Sequence, residues 1–265
     1  MKIAVVTGAS SGIGREFALS LSEKFSLDCI WLLGRNESRL NEAASQLNCA
    51  AEIISLDLAD EKSLTVIDER LKKEKPQILF LVNAAGLGKF GSVNSQKYED
   101  IKEITDVNIR ALTLVTKICI PYMAEGSFVV NMSSASAFTP LPYFAVYSAS
   151  KAYVQSFSLA LAYELRGRSV NVLTVCPYWV ATDFISNAVK SPDGYAVNNF
   201  LLITTPFRVV RMALNDMKFG RKISFTGRVP QMIYLLSRLL PVSLRQSVWD
   251  RVRSINLPDN QLPPE

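Results

Sequence analysis

Apolar runs of strand length alternate with longer segments of helical period from residue 2 to residue 175, and few architectures accept that pattern. The strand candidates are 2–7, 29–33, 51–56, 78–82, 127–132 and 170–175, several of them apolar at nearly every position. Strands of that kind are covered on both faces, as in a parallel sheet. Parallel strands need crossovers, and helix-like stretches at 13–24, 37–47, 61–73, 98–123 and 145–166 supply them. Asn36 and Asp60 suit the N-caps of the second and third. The expectation is an α/β chain: one doubly wound parallel sheet with helices on both faces and a helical C-terminal extension. No repeat or low-complexity linker divides the sequence, so residues 1–265 read as a single domain.

Histidine is absent. That removes Ser-His-Asp hydrolases, Cys-His proteases, HExxH metalloenzymes and His-ligated zinc or haem from the candidate chemistries. The four cysteines, Cys29, Cys49, Cys119 and Cys176, are widely spaced and form no CxxC pair, so they read as small packing residues rather than a metal or redox site. The N-terminal apolar run is too short for a signal peptide, and no stretch approaches the ~18 residues of a membrane span. A cytoplasmic protein is expected.

The net charge of +5 is unevenly placed. Residues 216–253 carry a net +6, leaving the remainder at −1, so the basic character belongs to a C-terminal extension, 216–265. Its segment 228–253 combines a broad apolar face with arginines. Burial against the body is the favoured expectation; peripheral contact with an anionic membrane or another subunit is the alternative. Nucleic-acid binding ranks last, because the segment has no recognition motif.

Directly after the first strand comes Thr7-Gly8-Ala9-Ser10-Ser11-Gly12-Ile13-Gly14, opening a helix. Glycines there allow a tight turn, let the backbone approach a pyrophosphate, and aim helix N-terminal amides at negative charge. The expected dinucleotide contacts are Gly8, Ser10, Ser11, Gly12, Ile13 and Gly14. An acidic residue ending the second strand would favour a ribose 2′-hydroxyl, but here the sequence reads Leu33-Gly34-Arg35. Arg35 offers a fork suited to a phosphate, which points to NADP(H). The plain alternative is a solvated surface arginine. Asp57, after the third strand, is placed to accept from the adenine amino group.

Proton transfer without histidine needs another donor, and Tyr147-Ser148-Ala149-Ser150-Lys151 offers one. On a helix the tyrosine and lysine share a face, and a nearby cation lowers a phenol pKa. By itself the pair is common and usually structural. Ser134, at the end of the fifth strand, is positioned to donate to a substrate carbonyl oxygen. Asn108, mid-helix, carries an amide suited to holding a water that relays protons to Lys151.

Taken together, TGASSGIG (7–14), Asp57, NAAG (83–86), Asn108, Ser134, YSASK (147–151) and Pro177…Thr182 resemble the short-chain dehydrogenase/reductase family over residues 2–183. The resemblance implies a Rossmann-type fold and a tetrad of Asn108, Ser134, Tyr147 and Lys151. It implies hydride transfer between a nicotinamide and a carbonyl or carbinol carbon, with Lys151 also on the nicotinamide ribose. It further implies cofactor contacts at Asn83, Ala84 and Gly86 and at Pro177, Val180 and Thr182. Two positions depart from the family: Ala84 replaces a second Asn, and Tyr178 replaces a Gly. Pro177-Tyr178-x-Val180-x-Thr182 is similar to the branch of 17β-hydroxysteroid dehydrogenases and long-chain 3-ketoacyl reductases, which implies a hydrophobic ketone. Family members are usually dimers or tetramers through the helix bearing the tyrosine, so a homo-oligomer is expected.

Residues 183–207, with Phe184, Ile185, Tyr195, Phe200, Leu201, Leu202 and Ile203, read as a substrate lid. A helix pair packed on the body is the competing expectation. The leading functional reading is an NADP(H)-dependent oxidoreductase acting on a small hydrophobic carbonyl compound. Its competitor is an NADP-binding sensor or scaffold with little catalysis.

Overall fold

The computed structural model describes residues 1–189, 200 and 202–254. Seven parallel strands form one sheet in the order β3-β2-β1-β4-β5-β6-β7. They are β1 (Lys2–Thr7), β2 (Cys29–Gly34), β3 (Ala50–Ser55), β4 (Gln77–Asn83), β5 (Met123–Met132), β6 (Asn171–Cys176) and β7 (Ile223–Phe225). The first six match the expected strands; β7, only three residues long, carries too little pattern to be read.

Successive side chains of a strand point to opposite faces, and the core accordingly has two layers. Ala4 and Val6 of β1 belong to one, Ile3 and Val5 to the other. The first layer is closed by α1 (Gly12–Lys24), α2 (Glu37–Ala44) and α8 (Pro206–Lys218), through Phe17, Leu21, Leu40, Val209 and Ala213. The second is closed by α3 (Glu61–Glu74), α5 (Leu112–Cys119) and α6 (Ala145–Glu164), through Leu64, Ile67, Val115 and Leu161. Each fully buried Leu, Val or Phe contributes about 1.5–3 kcal/mol. Asn36 and Asp60 cap α2 and α3 as expected, accepting from Arg39 N and Lys62 N at 3.0 Å.

Three departures have local causes. The helix expected over 98–123 is divided into α4 (Tyr98–Thr105), a π-helical turn (Asp106–Ala111), α5 and a 3-10 turn (Ile120–Tyr122) holding Pro121; Met123 already belongs to β5. The helix expected over 37–47 ends at Ala44. The extension expected over 216–265 does not begin as an appendage, since residues 216–218 close α8 and β7 pairs in parallel with β6. Beyond β7, α9 (Arg228–Leu239) and α10 (Val242–Ser254) form the helical C-terminal part.

The chain reverses its direction of travel across the sheet between β3 and β4, so a crevice opens at the carboxyl ends of β1 and β4. A third apolar cluster stands over this edge, including Phe90, Phe144, Tyr147, Phe200 and Trp249.

Candidate active site

A cleft of about 780 Å³ runs along the carboxyl edge of the sheet. One end is built by the turn between β1 and α1. Gly8 and Gly12 adopt φ of +66° and +55°, a left-handed conformation that side chains disfavour. A Cβ on Gly14 would collide with the Gly8 carbonyl, and one on Gly8 would come within 2.8 Å of Ala85 N. Ser11, the N-cap of α1, makes no side-chain capping bond, so the first-turn amides keep their donors. Packed glycines beneath an uncapped helix N-terminus fit a pyrophosphate.

Gly8, Ser10, Ser11, Gly12, Ile13, Gly14, Arg35, Asp57, Ala84, Gly86, Ser134, Tyr147, Lys151, Pro177, Val180 and Thr182 all line the cleft. Asn83 and Asn108 are not among its lining residues. Asn83 is buried beneath it, its Nδ2 donating to Asn131 Oδ1 at 2.8 Å and Thr116 Oγ1 at 2.9 Å. Asn131 Nδ2 continues to Ser158 Oγ at 2.9 Å, so β4, β5, α5 and α6 are tied by one polar network. The Asn83 side chain is therefore a brace beneath the cleft rather than part of its lining. The brace also accommodates Ala84, whose amide, with that of Ala85, donates to Thr7 Oγ1 at 3.1 Å.

Asn108 lies in the π-helical turn and is fully buried. Its Oδ1 accepts from Leu87 N at 3.0 Å, and its Nδ2 donates to Leu87 O at 2.8 Å and Ser150 Oγ at 3.0 Å. Both ends of the amide are thus tied to the loop after β4 and to α6. Asn108 fixes the loop after β4 beside the lysine: a methyl on Gly86 would lie 3.1 Å from Lys151 Nζ and 3.3 Å from Asn108 Oδ1.

Tyr147 and Lys151 share the buried face of α6, with Nζ 5.5 Å from the phenol ring centroid. Tyr147 stacks on Phe144 at 4.4 Å, packs against Phe184 at 5.2 Å, and lines the cleft together with Ser134. The expected acidification of the phenol is not found. Burial pushes the Tyr147 pKa well above its ordinary value, and the nearby Ser134 hydroxyl only partly offsets this. Lys151 Nζ donates to the Met132 carbonyl at 2.9 Å, and burial lowers its own pKa from 10.5 to about 8.

That depression has a consequence for stability. Between about 8 and 10.5 the unfolded lysine binds more protons than the folded one, so stability rises with pH across that window and the cost of burying the ammonium is full below it. Lys151→Met is expected to raise the thermal midpoint at neutral pH by about 2–6 °C, allowing for the lost hydrogen bond to Met132. The gain should shrink as pH rises through the window, which melting curves across the pH range would read.

Beyond the expected residues, the fold brings others to the cleft. Arg39 lines it on the same side as Arg35. Arg35 pairs with Glu103 at 2.7 Å and Arg39 with Asp183 at 2.6 Å, all partly exposed. Asp57 Oδ1 accepts from Ala59 N at 2.9 Å. At the other end, Ile233 and Leu236 of α9, Leu240 after it, and Arg245, Val248 and Trp249 of α10 enter the cleft. No local motif marks these positions; only the return of the C-terminus across the sheet brings them in. The C-terminal helices thus pack against the mouth while Met232, Leu235 and Leu239 stay exposed. Of the expected lid, α7 (Asp183–Ala188) presents Phe184 to the cleft, whereas 190–199, with Tyr195, and Leu201 lie outside the described residues.

Residues 2–193 match the family described as short chain dehydrogenase. The chain belongs to that family. The dehydrogenase is 32% identical over 206 residues to a very-long-chain 3-oxoacyl-CoA reductase of Mus musculus, covering 75% of this chain and 65% of that one. Its fold is similar to a short-chain dehydrogenase from Sphingobium yanoikuyae in complex with NADPH (TM-score 0.77, 23% identity, 98% of this chain and 100% of that one). It is likewise similar to a short-chain dehydrogenase/reductase from Burkholderia phymatum in complex with NAD (TM-score 0.76, 21% identity, 97% of each chain). This short-chain dehydrogenase is therefore an oxidoreductase that uses a nicotinamide cofactor and a small-molecule substrate. No helix among the described residues is long and apolar enough to cross a membrane.

Proposed function

We propose that the protein is an NADPH-dependent reductase of apolar ketones, with Tyr147 as proton donor. The observation that carries the reading is that Ser134, Tyr147 and Lys151 line the same cleft as the glycine turn, with Lys151 Nζ 5.5 Å from the phenol ring centroid. When bound, the dinucleotide supplies a hydride from nicotinamide C4 to the carbonyl carbon and is itself oxidised. The protein does the rest. Amides of Ser11–Gly14 and the turn at Gly8 hold the pyrophosphate, and Lys151 holds the nicotinamide ribose. Ala84, Gly86, Pro177, Val180 and Thr182 line the path of the cofactor, and Asp57 faces the adenine. Ser134 donates a hydrogen bond to the substrate oxygen, and Tyr147 gives that oxygen its proton, completing the alcohol; the phenolate is then reprotonated from water.

The apolar substrate is supported by Phe144, Trp179 and Phe184 around the tyrosine and by α9 and α10 at the mouth. Phe184 and α7 serve as the described part of a lid over residues 183–207. The preference for NADPH is supported by Gly34 and the two arginines, with no carboxylate at the end of β2. Arg35→Asp is expected to lower kcat/KM with NADPH by about 100-fold and to favour NADH, since the change swaps an attracting charge for a repelling one beside a phosphate. Dinucleotide oxidation on a panel of ketones tests both parts. No turnover of any ketone would refute the reductase, and an unchanged ratio of the two dinucleotides would refute Arg35. A cytoplasmic setting fits the four free thiols. A homo-oligomer through α6 fits its exposed Tyr153, Leu159 and Tyr163.

A further inference from the structure

Four described arginines are half-buried: Arg15, Arg70, Arg110 and Arg245. Three have a carboxylate close by, Arg15 with Glu42 at 2.7 Å, Arg70 with Glu52 at 2.7 Å and Arg110 with Asp106 at 2.9 Å. Arg245 has none among the described residues. Its Nη1 donates to the Phe138 carbonyl at 2.6 Å and reaches Thr139 Oγ1 at 3.5 Å, while its Nε is buried with no partner. Withdrawing a cation from water is costly unless an opposite charge meets it, and a carbonyl and a hydroxyl meet it only in part.

Its position gives that imbalance a use. Arg245 lines the substrate end of the cleft together with Ser136 and Thr139, which follow Ser134 on the same loop. Ser136 Oγ is also buried without a partner. Facing this short polar strip are Ile233 and Leu236 of α9, Leu240 directly after it, and Val248 of α10. The cleft thus offers a substrate three environments: a proton donor at Tyr147, an apolar wall, and an uncompensated guanidinium.

We propose that Arg245 anchors the acidic end of the substrate, which is an oxo-acid: a ketone on an apolar body that ends in a carboxylate. This rests on the reductase reading above and narrows it. The carboxylate takes no part in the reaction. Hydride still goes to the carbonyl carbon and the Tyr147 proton to its oxygen, while the carboxylate forms charge-assisted hydrogen bonds to the guanidinium.

The test compares a series of medium-chain methyl-ketone acids with their methyl esters, for the native protein, Arg245→Gln and Arg245→Lys. The native protein is expected to favour the best acid over its ester by about 30-fold or more in kcat/KM, mainly through KM. Arg245→Gln should collapse that ratio toward one, and Arg245→Lys should restore part of it. Added salt should erode the preference of the native protein for the acid, a readout that stands even where the Gln variant does not fold. Equal use of acid and ester by the native protein overturns the proposal. So does an equal loss on both in Arg245→Gln, which would make the residue only a strap between α10 and the loop at Phe138. Reduction of other ketones without preference for any acid would overturn the oxo-acid and leave the reductase standing. Failure on every ketone would remove both.

Discussion

Tyr147→Phe is expected to lower kcat by about 10³-fold while leaving dinucleotide affinity within about twofold. The substitution removes one hydroxyl. The ring contacts with Phe144 at 4.4 Å and Phe184 at 5.2 Å are those of a phenyl group and persist, so the fold should too. What goes is the phenolic proton and the influence of the hydroxyl on the neighbouring Ser134. Single-turnover measurements separate the chemical step from binding. A variant retaining more than about a tenth of native turnover would show that the proton comes from elsewhere. Ser134→Ala should cost less, about 10²-fold, because one donor to the substrate oxygen is lost and the acid remains.

Gly14→Ala is expected to weaken dinucleotide binding by at least about 100-fold, close to 3 kcal/mol. The added methyl would overlap the Gly8 carbonyl, with the Gly8 carbon at 2.7 Å, and both are backbone atoms that no side-chain rotation can clear. The turn must open, moving the amides at the N-terminus of α1. Gly167→Ala, where a methyl meets nothing within 4 Å, is the matched control and should leave affinity unchanged. Titration calorimetry on the two variants reads the difference directly. Native-like affinity in Gly14→Ala would mean that the turn does not hold the pyrophosphate.

The sequence discloses the parts of this protein that depend on periodicity and local chemistry. Six parallel strands were readable because strands buried on both faces are apolar at nearly every position, as Ile30-Trp31-Leu32-Leu33 is. The glycine turn and the Tyr147–Lys151 pair were readable because both lie within single elements at fixed spacing. The rest follows from tertiary surroundings. That Asn108 and Asn83 spend their amides on Leu87, Asn131 and Thr116 depends on partners between 21 and 48 residues away. That burial dominates at Tyr147 depends on surroundings such as Phe144 and Phe184, which pack against its ring. Arg245 lies 107 residues from the Phe138 carbonyl it meets, and nothing in its own neighbourhood sets it apart from the other arginines of the C-terminal helices.

The two ends of the cleft come from different stretches of the gene product. Residues 8–57 build the nucleotide end, whereas α9 and α10 close the opposite one. During synthesis the nascent chain therefore makes its nucleotide turn first, its proton-transfer residues midway, and the helices that close the substrate end last. The same separation leaves room for evolutionary tinkering: exchanging the final two helices among homologous proteins would retarget such a catalyst while its electron-handling half stayed as it was.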